Sequence, residues 1–182
     1  MGGISYSNKF ATIWARHLSK LLVISTLLLI FAGALVKSHE VGLSVPDWPT
    51  SYGYQMFSFP LNDMIGGIFY EHGHRMIATI VGFMTLILAF TIYYTDHRLW
   101  LKKAAFLALG LVIIQGLFGG LTVLLFLPTP VSVIHAILAQ TFLMVTIFIS
   151  YGLSKERANR VLKESTDSVS YTHLTLPTNR EV

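Results

Sequence analysis

Apolar and polar positions fall in long blocks along this chain rather than alternating residue by residue. Four apolar segments stand out: Ser19–Val36, Ile68–Tyr94, Ala104–Leu127 and Val131–Leu153. Crossing roughly 30 Å of hydrocarbon takes about 20 helical residues, so each reads as a transmembrane helix. The first is the shortest, and Lys20 and Lys37 near its ends can snorkel to the interfaces. The second is longer than a span requires and closes with Met76 to Tyr94, nineteen residues without a charge. Its opening turns are therefore expected at the outer interface or in the bundle interior. The predicted fold is an all-α integral membrane protein, a four-transmembrane-helix bundle.

The joints between these blocks are uneven. Residues 37–67 form a long segment rich in Pro, Gly and aromatics, and prolines at 46, 49 and 60 prevent a single helix. It reads either as an interfacial loop anchored by its aromatic rings or as a lid over a site at the helix ends. Pro128-Thr129-Pro130 predicts a tight turn into the fourth helix. Gly116 and Gly120 in the third helix form a G-x-x-x-G pair, which predicts close helix packing.

Charge sets the orientation. Lys9, Arg16 and Lys20 precede the first span, Arg98, Lys102 and Lys103 separate the second from the third, and Lys155, Arg157, Arg160 and Lys163 follow the fourth. Ten of the thirteen Lys and Arg residues thus lie on one side of a four-span topology, which makes that side, with both termini, cytoplasmic. The domain reading is a cytoplasmic N-terminal segment (1–18), a four-helix transmembrane domain (19–153, outer loop 37–67) and a cytoplasmic linker and tail (154–182). Ala32-Gly33-Ala34 faintly resembles a signal-peptide cleavage site, and cleavage there would leave three spans; four spans is the reading retained.

Composition agrees with a membrane protein: 53% of residues are hydrophobic and 12% charged, and the mean hydropathy is +0.62. The net charge of +4 does not indicate nucleic acid, because the basic residues form topology blocks and not one face. The chain has no cysteine, which excludes disulfides, thiolate metal sites, iron–sulfur clusters and covalently attached heme. Any metal or heme must take histidine or oxygen ligands.

Against this background Glu71-His72-Gly73-His74-Arg75 is anomalous, since ionisable side chains within a membrane span are costly and are functional candidates by default. On a helix Glu71, His74 and Arg75 share one face, whereas His72 points roughly 100° from Glu71 and nearly opposite His74. His135 stands in an otherwise apolar stretch of the fourth helix. Helices 2 and 4 run parallel in the four-span topology, and His74 and His135 lie six and four residues inside their starts. Their depths then agree within roughly 3 Å. Two histidines at one depth can face each other across a bundle as axial ligands of heme iron. For His135 alone an interhelical hydrogen bond would suffice, and zinc would want more ligands than these helices offer. Glu71 is the candidate to relay a proton or act as general acid or base, its alternative being an ion pair with Arg75. Arg75 is the candidate partner of a heme propionate. Solvated roles suffice for His17, His39 and His97, and His173 reads as a tail residue.

The blocks Gly42–Gly53, Gly66–Arg75, Gln115–Leu124 and Ser132–Gln140 resemble the N-terminal half of heme A synthase, over about residues 15–160. The resemblance implies a multi-pass enzyme of the bacterial cell membrane. It would oxidise the C8 methyl of heme O to the formyl group of heme A, for cytochrome oxidase. It implies eight helices in two pseudosymmetric halves, the first holding the substrate heme between His74 and His135 with Glu71 essential. The second half would carry its own histidine pair for heme b. A separate electron donor and a farnesyltransferase supplying heme O are the implied partners. Two departures stand out. The chain stops after one half, so a homodimer or a missing C-terminal half is implied; the tail from about Asp167 resembles no family sequence and reads as non-native, which favours a truncated gene model over a natural half-enzyme. The outer loop lacks the cysteine pair of many bacterial members. The rival classes are a non-catalytic bis-histidine cytochrome b and a heme-free assembly subunit.

Overall fold

The computed structural model describes residues 6–157, with side chains from Ile13 onward; the expectations for Arg160, Lys163, His173 and the tail from Asp167 lie outside the described residues. Four helices dominate: α1 (Tyr6–Ser38), α2 (Gly67–Thr95), α3 (Leu99–Leu124) and α4 (Thr129–Gly152). All four are long and apolar enough to cross a membrane, α1 from Ile13. Among the described residues there is no strand, only an isolated bridge between Ser51 and Tyr54. The chain is an all-α, multi-pass membrane protein.

Helix ends differ from the apolar blocks where hydropathy and backbone geometry part company. α1 begins at Tyr6 and not at Ser19, because Arg16, His17 and Lys20 end the apolar run without breaking a helix. α3 begins at Leu99, directly after Arg98, whose guanidinium grips Asp96 (2.6 Å) and donates to the Gly152 carbonyl (2.8 Å). That clamp ties the turn between α2 and α3 to the end of α4. α3 stops at Leu124 although Leu125-Phe126-Leu127 continues the apolar run; Phe126 and Leu127 adopt positive φ in the turn.

The helices close in a ring. α1 packs on α2 and α4, and α3 packs on the same two, so α2 and α4 stand on a diagonal. The apolar core lies at the end away from the 39–66 loop. Leu22 of α1, Leu88 and Ile92 of α2, Leu101 of α3 and Ile149 of α4 are all buried there. At the loop end the picture reverses. Residues 27–38 of α1, 109–119 of α3 and 129–141 of α4 include no buried residue, whereas α2 buries Glu71, His72 and Arg75. The bundle is tight at one end and under-packed at the level of the histidines.

Candidate functional site

The loop is pinned to α2 by the polar cluster. α2 starts at Gly67 after Gly66, whose φ of 55° favours glycine. At 67 itself a Cβ would collide with the Ser44 side chain, so the loop and the helix start are in contact. Glu71 Oε2 accepts the Val45 N–H (2.8 Å), and Oε1 pairs with the Arg75 guanidinium (2.6 Å). Arg75 also donates to the carbonyls of Val45 (2.8 Å), Asp47 (2.7 Å) and Thr50 (3.2 Å). His72 Nδ1 bonds the Ser51 hydroxyl at 2.8 Å, and its ring lies 4.8 Å from that of Phe59. Glu71, His72 and Arg75 are 4%, 1% and 8% exposed. A buried charge is tolerable only when paired and hydrogen-bonded, and this cluster meets that condition by ordering the loop. A propionate at Arg75 would have to displace these carbonyls.

Asp47 organises the loop from within. Its carboxylate accepts the N–H groups of Tyr52 (2.7 Å) and Gly53 (3.0 Å) and the Thr50 hydroxyl, the side-chain turn typical of Asp. Burial opposes its charge, but these donors outweigh burial and hold the carboxyl down to about 2. A depressed carboxyl pKa stabilises the fold fully above the ordinary carboxylate range, and that stability is lost as pH falls through the folded value. The Tyr52 and Gly53 amides are therefore expected to lose hydrogen-exchange protection, corrected for intrinsic rates, between pH 4 and pH 2. Asp47→Asn is expected to flatten that dependence. Protection that holds through pH 2 would exclude the carboxylate as the organiser.

Beyond the loop, Trp48 inserts onto α3, where a Cβ at Gly120 would overlap its indole. Gly116 meets nothing within 4 Å. The G-x-x-x-G pair is thus not a helix–helix seam: Gly120 admits a loop tryptophan, and Gly116 faces open space. His39, read as merely solvated, stacks on Tyr70 with ring centroids 4.4 Å apart.

His74 takes the other direction, into the bundle. Its ring rests on Gly33 of α1, where a Cβ would come 3.0 Å from Cε1. His135 rests on Gly119 of α3, with a corresponding distance of 3.4 Å. Each helical hairpin therefore supplies one glycine and one histidine. Gln115 donates its amide to the His135 carbonyl at 2.8 Å. The buried atoms His74 Nδ1, His135 Nδ1 and Gln115 Oε1 have no hydrogen-bond partner. Buried orphan polar atoms are uncommon and call for an explanation. Here they gather around the under-packed layer.

Neither Gly33 nor Gly119 was legible as a ring seat, because glycine is frequent in membrane helices. Their geometry predicts unequal tolerance. Gly33→Ala is expected to displace His74 and to cost about 1–3 kcal/mol, the usual range for overpacking. Gly119→Ala meets an ordinary contact and is expected to be nearly neutral. Thermal unfolding of the two variants in one detergent checks this, and equal losses would exclude it.

These residues suit a planar iron porphyrin. The two imidazoles stand on diagonal helices, a glycine of the neighbouring helix lies against each, and the segments 27–38, 109–119 and 129–141 at this level contain no buried residue. Among the described residues no group of three or more His, Cys, Asp or Glu side chains gathers as a metal site. Two histidines alone match the axial set of heme better than the ligand set of zinc.

Comparison with known proteins agrees in direction. The profile of the COX15-CtaA family, described as cytochrome oxidase assembly protein, matches residues 54–176. The heme A synthase of Oceanobacillus iheyensis is 26% identical over 147 residues, which make up 77% of this chain and 45% of that protein. The heme A synthase of Listeria monocytogenes is 22% identical over 142 residues, with the same shares of 77% and 45%. The chain thus spans a little under half the length of these curated relatives. No solved structure matches it.

Proposed function

The chain belongs to the COX15-CtaA family of cytochrome oxidase assembly proteins, and from that premise we propose that it is the substrate-holding half of a heme A synthase. The reaction proposed is oxidation of the C8 methyl of heme O to the formyl group of heme A. The observation that carries this reading is the pair of imidazoles on α2 and α4, each with a buried, unpartnered Nδ1. Heme O would be the substrate. Taking its methyl to a formyl group removes four electrons and inserts one oxygen atom. Dioxygen is therefore proposed as the oxidant, with electrons from the separate donor reducing the oxygen atoms that are not inserted to water.

The chain's own residues then divide the work. His74 and His135 hold the iron, while Gly33 and Gly119 let the rings reach the bundle axis. Glu71 is the proton-handling group. As the structure stands, both of its oxygens are engaged, one by the Val45 N–H and one by Arg75. A proton arriving at Oε1 would break the ion pair with Arg75. The guanidinium would keep its three loop carbonyls, and Oε2 its bond from the Val45 N–H. Arg75 is a positioning residue in this arrangement, holding the loop by three carbonyls. We place the protein in the bacterial cytoplasmic membrane, loop outside and termini inside, by its basic residues. A farnesyltransferase supplies heme O, and a separate chain donates electrons. A second histidine pair for heme b comes from a C-terminal half or a second copy.

One observation favours a second reading, a bis-histidine cytochrome b that only passes electrons: Glu71 is saturated by loop contacts and needs no catalytic role to account for it. The test is to express the chain in a host that makes heme O but no heme A and to analyse the extracted hemes. Heme A is expected when a C-terminal half is co-expressed. Its absence there, with heme bound, would sink the synthase reading and leave the cytochrome.

A further inference from the structure

A second site lies at the opposite end of the bundle, between α1 and the end of α4. Arg16 Nε donates to the Leu153 carbonyl at 2.8 Å and joins the two elements there. Beside this contact lies a cavity of ≈ 400 Å³ lined by Arg16, His17, Lys20, Ser154, Lys155 and Glu156. Three permanent cations face one carboxylate. A groove of ≈ 500 Å³ adjoins it and shares Lys20, Ser154 and Glu156. Its other walls are Val23 and Ile24 of α1 and Ile147, Ser150 and Tyr151 of α4, apolar or aromatic except for Ser150. Ile24, Ile147 and Tyr151 are 55%, 48% and 45% exposed.

The two spaces form one amphipathic cleft, cationic at the membrane edge and apolar toward the membrane interior. A soluble anion would use only the first part and a neutral lipid only the second. A ligand with a phosphate head and acyl chains fits both, and basic pockets between transmembrane helices suit anionic head groups. We propose that this cleft binds an anionic phospholipid, its phosphate among Arg16, Lys20 and Lys155 and one acyl chain in the groove between α1 and α4. The site is remote from the histidine pair and independent of the function assigned to it. It would bridge α1 and α4, the first and last of the four described helices.

The test uses the full chain in a neutral detergent, titrated with phosphatidylglycerol carrying a fluorescent acyl chain. Phosphatidylcholine of the same chains is expected to compete poorly. The double variant Lys20→Gln/Lys155→Gln removes two cations at about 1 kcal/mol each, so phosphatidylglycerol binding is expected to weaken roughly 30-fold. Ser150→Trp narrows the groove without changing charge and is expected to weaken binding while leaving the thermal midpoint in place. Equal affinity for the two lipids, or unchanged binding in the double variant, would overturn the proposal. Competition by glycerol phosphate as strong as by the lipid would reduce the cleft to a phosphate site and overturn it. Displacement by hemin at equal concentration would assign the cleft to a porphyrin dicarboxylate and overturn it as well.

Discussion

Heme bound to this chain is expected to lose its six-coordinate, low-spin spectrum when either His74 or His135 becomes alanine. In the proposed site each ring is one of two axial ligands, and among the described residues no other histidine is placed to replace it. Among the described residues the other histidines are elsewhere: His72 is bonded to Ser51 in the loop interface, and His39 stacks on Tyr70. Ligation by a single imidazole leaves iron open on one face, so retention through purification should fall well beyond the roughly 10–100-fold typical of losing a ligand's supporting partner. His39→Ala is the matched control and is expected to keep the full spectrum. His72→Ala should also keep it while loosening the loop. Low-spin heme that survives in both the His74 and His135 variants would place the ligands elsewhere and remove the basis of the proposed function.

The similar depth of His74 and His135 in α2 and α4 was legible in the sequence for a physical reason. Depth in a membrane is counted along a helix at a fixed rise, so a one- or two-residue error at each end of α2 and α4 shifts His74 and His135 little. Membrane spans are likewise announced by hydropathy, because lipid demands apolar side chains over a fixed length. Helix ends are not announced that way. The extension of α1 back to Tyr6 carries basic residues, and the early stop of α3 depends on backbone torsions at Phe126 and Leu127. Neither leaves a trace in hydropathy.

The polar cluster was legible as an anomaly but not in its division of labour. Helical spacing puts His74 on the face of Glu71 and Arg75, and a shared face suggests a shared site. The structure separates them, because the 39–66 loop folds back over one side of α2 and draws in Glu71, Arg75 and also His72. Prolines excluded a helix in that loop, but nothing in the pattern said that Val45, Asp47 and Thr50 would offer their carbonyls to one guanidinium. The glycine spacing misled for a related reason. A period of four singles out Gly116 and Gly120, yet the glycines in use are Gly119, under an imidazole, and Gly120, under an indole. Those partners come from α4 and from the loop, and only the folded chain brings them to α3.

Glu71 carries the other large effect, and its two roles separate by experiment. Glu71→Gln keeps an acceptor for the Val45 N–H but leaves the Arg75 guanidinium buried without its counter-charge. Breaking a buried pair from one side typically costs about 3–5 kcal/mol. Three loop carbonyls still hold Arg75 here, so the loss should lie near the lower end. It should appear as a lower thermal midpoint and as faster proteolysis within residues 45–54. Conversion of heme O, assayed with a C-terminal half present, is expected to fall to background. Arg75→Met added to Glu71→Gln removes the stranded charge, and replacing a buried ion pair by apolar groups is often close to neutral. The double variant should therefore regain most of the stability and much of the protease resistance. Turnover then decides between the roles. A carboxylate needed to hold a proton cannot be replaced by an amide however well the loop is repaired, so activity stays at background. Restored turnover in the double variant would show that Glu71 serves only to fix the loop, and the proton-handling role would be withdrawn.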